Sequence, residues 1–71
     1  MMTPRSFYYA KPKETLERVA REANTTFGNF KQIAIAGGSC SPDLAARLAD
    51  ASGGEMTEME ILYPQRFEES V

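Results

Sequence analysis

Five interruptions, at Pro12, Asn24, Gly37-Gly38, Gly53-Gly54 and Pro64, limit what this chain can fold into. Proline lacks the amide donor a helix interior needs, and glycine and asparagine readily take the left-handed backbone that ends a helix. Between the interruptions the apolar residues recur at helical spacing. Leu16, Val19, Ala20 and Ala23 make one stripe, Phe30, Ile33 and Ala34 a second, and Leu44, Ala45, Leu48 and Ala51 a third. The β-like run QIAIAGG is too short to outweigh that spacing. The expected fold is all-α, with four to five short helices and tight connections.

Start signals agree with these stops. Thr3-Pro4 and Ser41-Pro42-Asp43 each place a hydroxyl cap before a first-turn proline. Thr26 offers a cap to the second stripe, and Thr57 with Glu60 matches a capping box, with Met56 and Ile61 placed to staple across it. Glu14 with Arg18 and Glu17 with Arg21 are spaced for i,i+4 ion pairs. The run from Gln65 to Val71 reads as a polar tail on which only Phe67 is placed to dock.

With 71 residues and no linker or repeat, one domain over residues 1–71 is the economical reading. A core of that size is marginal alone, which makes a second copy an expected source of buried area. The chain has no histidine and one cysteine, so an internal disulfide, a Cys/His zinc cluster and His-based catalysis are excluded. No enzymatic activity, metal or cofactor is expected. Glu55, Glu58 and Glu60 are better read as capping and solvated charges than as a hydrolase pair or calcium loop. Cys40, beside a helix start, has a route to a lowered pKa, but it reads more simply as a small half-buried residue. No long apolar run and no signal-peptide core are present, so the expectation is a cytoplasmic protein with no membrane association.

The net charge of −2 hides an uneven distribution. Residues 1–35 hold six basic and three acidic side chains, a balance of +3, whereas residues 36–71 hold two and seven, a balance of −5. Strong nonspecific DNA affinity does not follow from that total, so any affinity for an anionic ligand depends on charge placement.

The register of the central segment is the most specific feature. Leu16, Val19-Ala20, Ala23, Asn24 at a turn, Thr25-Thr26, Phe30 and Ile33 follow a helix-turn-helix pattern position by position, with the motif at about residues 13–34. In that pattern small Ala20 lets the two helices approach, Thr25 packs beneath the turn and Thr26 caps the second helix. This segment resembles the lambda-repressor-like helix-turn-helix domain of phage Cro and repressor proteins. The stretch GGSCSPDLAARLADASGGEMTEMEILYP in turn looks like the second half of small prophage Cro-like regulators, so the resemblance covers about residues 7–65.

The resemblance implies a sequence-specific transcriptional regulator, a repressor that binds double-stranded operator DNA as a homodimer. The helix after Thr26 is then the recognition helix, with Thr26, Phe27, Gly28, Asn29 and Gln32 at base edges. Gln32 suits adenine and Phe27 suits a thymine methyl. Lys31, Lys11, Lys13, Gly38, Ser39 and Ser41 are the candidate phosphate contacts. Phe27, three residues before Phe30, has a second reading as a core or interface residue, and Asn29 and Gln32 also read as ordinary surface residues. Phe7, Tyr8 and Tyr9 form an aromatic cluster suited to a core or a dimer contact, which Tyr63 and Phe67 are placed to extend. The alternative function is a helix-turn-helix-fold phage protein that holds and modulates a host protein through an exposed Phe27 and its acidic half.

Overall fold

The computed structural model describes residues 2–37 and 40–68, and they form six helices without a strand. These are α1 (Pro4–Ala10), α2 (Lys13–Glu22), α3 (Phe27–Ile35), α4 (Pro42–Ala51), α5 (Glu58–Leu62) and α6 (Gln65–Glu68). The architecture is all-α, as the interrupted pattern requires. The sixth helix is the departure, because it occupies the start of the expected polar tail. Pro64 does not merely stop α5. Its carbonyl accepts from Phe67 N at 3.0 Å, the carbonyl of Tyr63 accepts from Arg66 N at 3.1 Å, and the Arg66 guanidinium lies 5.3 Å from the centre of the Tyr63 ring.

Local chemistry sets most helix boundaries. Thr3, Thr26, Ser41 and Thr57 each accept, through the side-chain hydroxyl oxygen, from the amide three residues on. Glu60 completes the box at Thr57 and is itself buried, its carboxylate accepting from Thr57 N at 3.1 Å and from the Thr57 hydroxyl at 3.0 Å. A cap of this kind contributes about 1 kcal/mol to each helix.

Two helices end in the same closure. At the end of α2, Asn24 has φ +61°, its amide donates to Arg21 O at 3.0 Å, and the Thr25 amide donates to Ala20 O at 2.9 Å. At the end of α4, Gly53 has φ +69°, donating to Asp50 O, while Gly54 donates to Ala49 O. This paired arrangement satisfies carbonyls that a helix end otherwise leaves without partners. Ser52, buried below the second closure, donates to Ala49 O and accepts from Met56 N.

The core is built from the expected stripes: Leu16, Val19, Ala20 and Ala23 from α2 and its end, Phe30 and Ile33 from α3, Ala45 and Leu48 from α4, with Phe7, Met56 and Ile61. Phe7 meets Phe30 edge-on with ring centres 6.4 Å apart, which fastens α1 to α3. The first helix, weakly marked in sequence, is fixed by this contact and by its Thr3 cap. Residue 55 secures both its ends: Met2 N donates to Glu55 O at 2.6 Å, and Lys11 Nζ pairs with the Glu55 carboxylate at 2.8 Å.

On α2 the expected pairs Glu14–Arg18 and Glu17–Arg21 are replaced by one between Arg18 and Glu22, at 3.4 Å. All five side chains are exposed, so the choice between pairings is worth only a few tenths of a kcal/mol. The consequential charge is Arg47 on α4. Its Nε donates to Ala23 O at 2.9 Å, twenty-four residues away, and its guanidinium also pairs with Asp43 one turn back. Arg47→Ala is expected to lower stability by about 1–3 kcal/mol, since a charged donor to a carbonyl at a buried corner is lost. Asp43→Ala, which removes an exposed ion pair and an acid from the first turn of α4, should cost about 1 kcal/mol or less. Urea denaturation midpoints compared at equal slope check the order.

Candidate nucleic-acid interface

Helix α3 is short and its two faces differ. Phe30, Ile33 and Ala34 are buried, while Gly28, Asn29, Lys31 and Gln32, with Thr26 at the cap, are exposed. The exposed face is therefore one polar-to-small surface with a single formal charge, that of Lys31. The start of α3 projects from the corner closed by Asn24, with Thr26 Oγ1 already engaged by Asn29 N at 3.1 Å.

Phe27 resolves toward packing. It is half-buried, its ring is tilted 31° to that of Tyr8 with centres 6.2 Å apart, and Lys13 Nζ stands 5.5 Å from the ring centre. The exposed Phe27 required by a partner-binding use of this residue is thus corrected: Tyr8 covers one side of the ring. Lys13 stands at the α3 start because α2 begins directly after Pro12 and the Phe27 ring provides a cation–π seat. Tyr8 also approaches Phe30, and Tyr9, which contacts Tyr8, remains 67% exposed.

Asn29 is held twice. Besides its backbone bond to Thr26, its side-chain Nδ2 donates to Thr25 Oγ1 at 2.9 Å. Gln32 and Lys31 show no comparable tether. Gly28 has an ordinary helical backbone, and a Cβ placed there meets nothing within 4 Å. Nothing inside the chain requires glycine at that position, although glycine weakens a helix relative to alanine.

The candidate phosphate ligands divide. Lys31 lies on the exposed face of α3 and Lys13 stands beside Phe27 at its start, whereas Lys11 is engaged by Glu55 and sits 5.7 Å from the Phe7 ring centre. Grouping Lys11 with Lys13 on sequence proximity does not survive, because the break at Pro12 sends the two side chains to different neighbours. Ser41 caps α4 by accepting from Leu44 N at 3.2 Å, leaving its hydroxyl proton to donate outward. Gly38 and Ser39 lie outside the described residues. Cys40 is half-buried, and burial pushes its thiol above the ordinary value while nearby Arg47 opposes the shift. The lowered pKa that a helix start suggested is therefore replaced by the packing role.

Two contacts that shape this region carried only faint sequence signals, the Thr25–Asn29 bond and the Arg47–Ala23 bond. Thr25 and Asn29 stand at i,i+4, a spacing at which short polar side chains meet. Arg47 stands four residues after Asp43, which suggested nothing about Ala23. Among the described residues, no group of three or more Cys, Asp or Glu is arranged to hold a metal ion, and no helix is long and apolar enough to cross a membrane. Comparison with protein-family models, curated proteins and solved structures returns no match for this chain.

Because open space surrounds Gly28, Gly28→Ala is expected to raise stability by about 0.5 kcal/mol through the unfolded chain's lost freedom. A rise in thermal midpoint without a change in helix content is the expected observation, and a fall would mean that the first turn of α3 is packed more tightly than described.

Proposed function

We propose that this protein is a sequence-specific DNA-binding regulator, a Cro-like repressor that occupies operator DNA as a homodimer with α3 in the major groove. The observation that carries the reading is the exposed face of α3: a capped helix start projecting from a rigid corner, bearing Gly28, Asn29, Lys31 and Gln32, with Lys13 against the Phe27 ring at the helix start. A helix presented at its N-terminal end with small and amide side chains suits entry into a groove about 12 Å wide. Gly28 permits close approach, Gln32 offers both hydrogen-bonding groups that adenine takes, and Thr26 lies at the entering edge. Lys31 on this face and Lys13 beside Phe27 serve as phosphate donors, as does the Ser41 hydroxyl at the α4 cap, and the helix start adds its own positive field.

The total charge of −2 fits this use because the basic residues fall in the half that contains α2 and α3. Repulsion of DNA by the acidic half keeps nonspecific affinity low, so binding depends on the fit of α3. Repression follows from occupancy: two copies of α3 about one helical turn of DNA apart cover successive major grooves and block polymerase. Tyr63, Met59 and Phe67, each more than 40% exposed, provide apolar area for the twofold contact. The same exposed side chains favour the second reading, a helix-turn-helix-fold protein that modulates a host protein. Partial burial of Phe27 removes the anchor first assigned to that reading, and the operator reading is preferred.

A selection from fragments of the source genome at low salt is expected to enrich one DNA site, with affinity falling steeply as salt rises. Lys31→Ala should weaken all sequences alike and reduce the salt slope by about 1. Gln32→Ala should cost about 1–3 kcal/mol at one base pair. Enrichment of no fragment, with the protein folded, rejects the operator reading; a host protein that co-purifies and is lost on Tyr63→Ala would then support the second.

A further inference from the structure

Helices α1 and α3 pack on each other and carry charge of one sign only. Residues 1–13 and 23–42 hold Arg5, Lys11, Lys13 and Lys31 and no acidic side chain. Lys11 is neutralised by Glu55, but Arg5 and Lys13 pair with no carboxylate among the described residues. Both stand over aromatic rings instead. The Arg5 guanidinium lies 5.9 Å from the centre of the Tyr9 ring, and Lys13 Nζ takes the Phe27 ring at 5.5 Å although Glu17 stands one turn along its own helix. Tyr8 joins the two, its ring centre 5.5 Å from that of Tyr9 and 6.2 Å from that of Phe27. These contacts make a continuous strip of three rings with a cation at each end. Tyr9, at 67%, is the most exposed large apolar side chain among the described residues.

We propose that this strip binds single-stranded nucleic acid, with an unpaired base stacked on Tyr9 and with Arg5 and Lys13 holding phosphates. A site for an unpaired strand combines accessible rings, on which any base can stack, with cations that follow the backbone. Both are joined here in one set of contacts. A cation over a ring is attracted to it but keeps its full charge, so Arg5 and Lys13 remain available to an anion. Paired DNA has no use for the Tyr9 ring, because each base face is already covered within the duplex. An acidic peptide engages the two cations and leaves the ring without a flat partner. Tyr8 and Phe27 are half-buried and act as the backing that fixes the exposed ring and the far cation. Gln32, the residue assigned to a base edge of the operator, takes no part in the strip, so the assignment goes beyond the operator reading and does not depend on it.

The test titrates the full-length protein at low salt with labelled oligothymidylate, with a duplex of unrelated sequence and with polyglutamate of matching charge. Probe anisotropy reports binding, and because the chain has no tryptophan, tyrosine emission reports stacking. Oligothymidylate is expected to bind about tenfold more tightly than either other probe and to quench the tyrosine emission. Tyr9→Leu should weaken that binding by about tenfold, whereas Tyr9→Phe, which keeps the ring, should retain it. Tyr9 and Arg5 are exposed, so replacing them leaves the core intact. Arg5→Gln and Lys13→Gln should each make the salt dependence shallower by about 0.7 in slope. Gln32→Ala should leave single-strand binding unchanged. Failure of oligothymidylate to bind, or binding that Tyr9→Leu does not weaken, overturns the proposal. Equal affinity for polyglutamate or for the unrelated duplex marks a surface for anions without base stacking and overturns it as well. Loss of the operator reading shows separately, as no duplex enriched from the genome, and leaves these titrations as they are.

Discussion

The closed corner between α2 and α3 is the constraint on which the rest of the structure depends. Asn24 makes the reversal in a left-handed conformation, and backbone bonds from residues 24 and 25 engage the carbonyls of Arg21 and Ala20 in the last turn of α2. One carbonyl of that corner, on Ala23, remains for a long-range partner, and Arg47 takes it from α4. The corner is thereby locked from within by backbone geometry and from outside by a charged donor. With Ala23 fully buried beneath it, neither helix can rotate without breaking both locks. The direction in which α3 leaves the body of the protein is set there.

Surface chemistry on α3 inherits that rigidity. The buried side of the helix is tied to α1 through Phe7 and Phe30, and the half-buried Phe27 is held between Tyr8 and Lys13. A residue that looked available for binding thus helps seat the helix, and the small and amide residues beside it face outward. The same cation that steadies the Phe27 ring lies at the edge of the outward face. Packing and electrostatics are shared here by one pair of side chains rather than divided between core and surface.

Helix boundaries were largely legible in the sequence because they are decided within a few residues. Thr3, Thr26, Ser41 and Thr57 cap in place, Asn24 and Gly53 turn where their backbone freedom indicates, and the buried stripes of α2 and α3 match their spacing. What was not legible depends on the third dimension. The bond from Arg47 to Ala23 spans helices that only the fold brings together, and the separation of Lys11 from Lys13 reflects what each meets after Pro12. Partial burial of Phe27 was left open by sequence because position three before a core phenylalanine lies at the border between the two faces. Helix α6 was missed since four polar-rich residues carry no periodicity, and a proline reads equally as a stop or a start.

The attachment of α1 through residue 55 has a consequence for anyone altering this chain. The turn at Gly53-Gly54 is exposed and glycine-rich, the kind of loop tip usually chosen for inserting a peptide or joining new ends. In this molecule the very next residue clasps Met2 through its carbonyl and Lys11 through its carboxylate. Lengthening the turn would move that clasp and loosen the helix whose Phe7 backs α3. A permissive-looking surface loop is therefore mechanically continuous with the opposite end of the chain, and the neutral place for a graft has to be sought elsewhere.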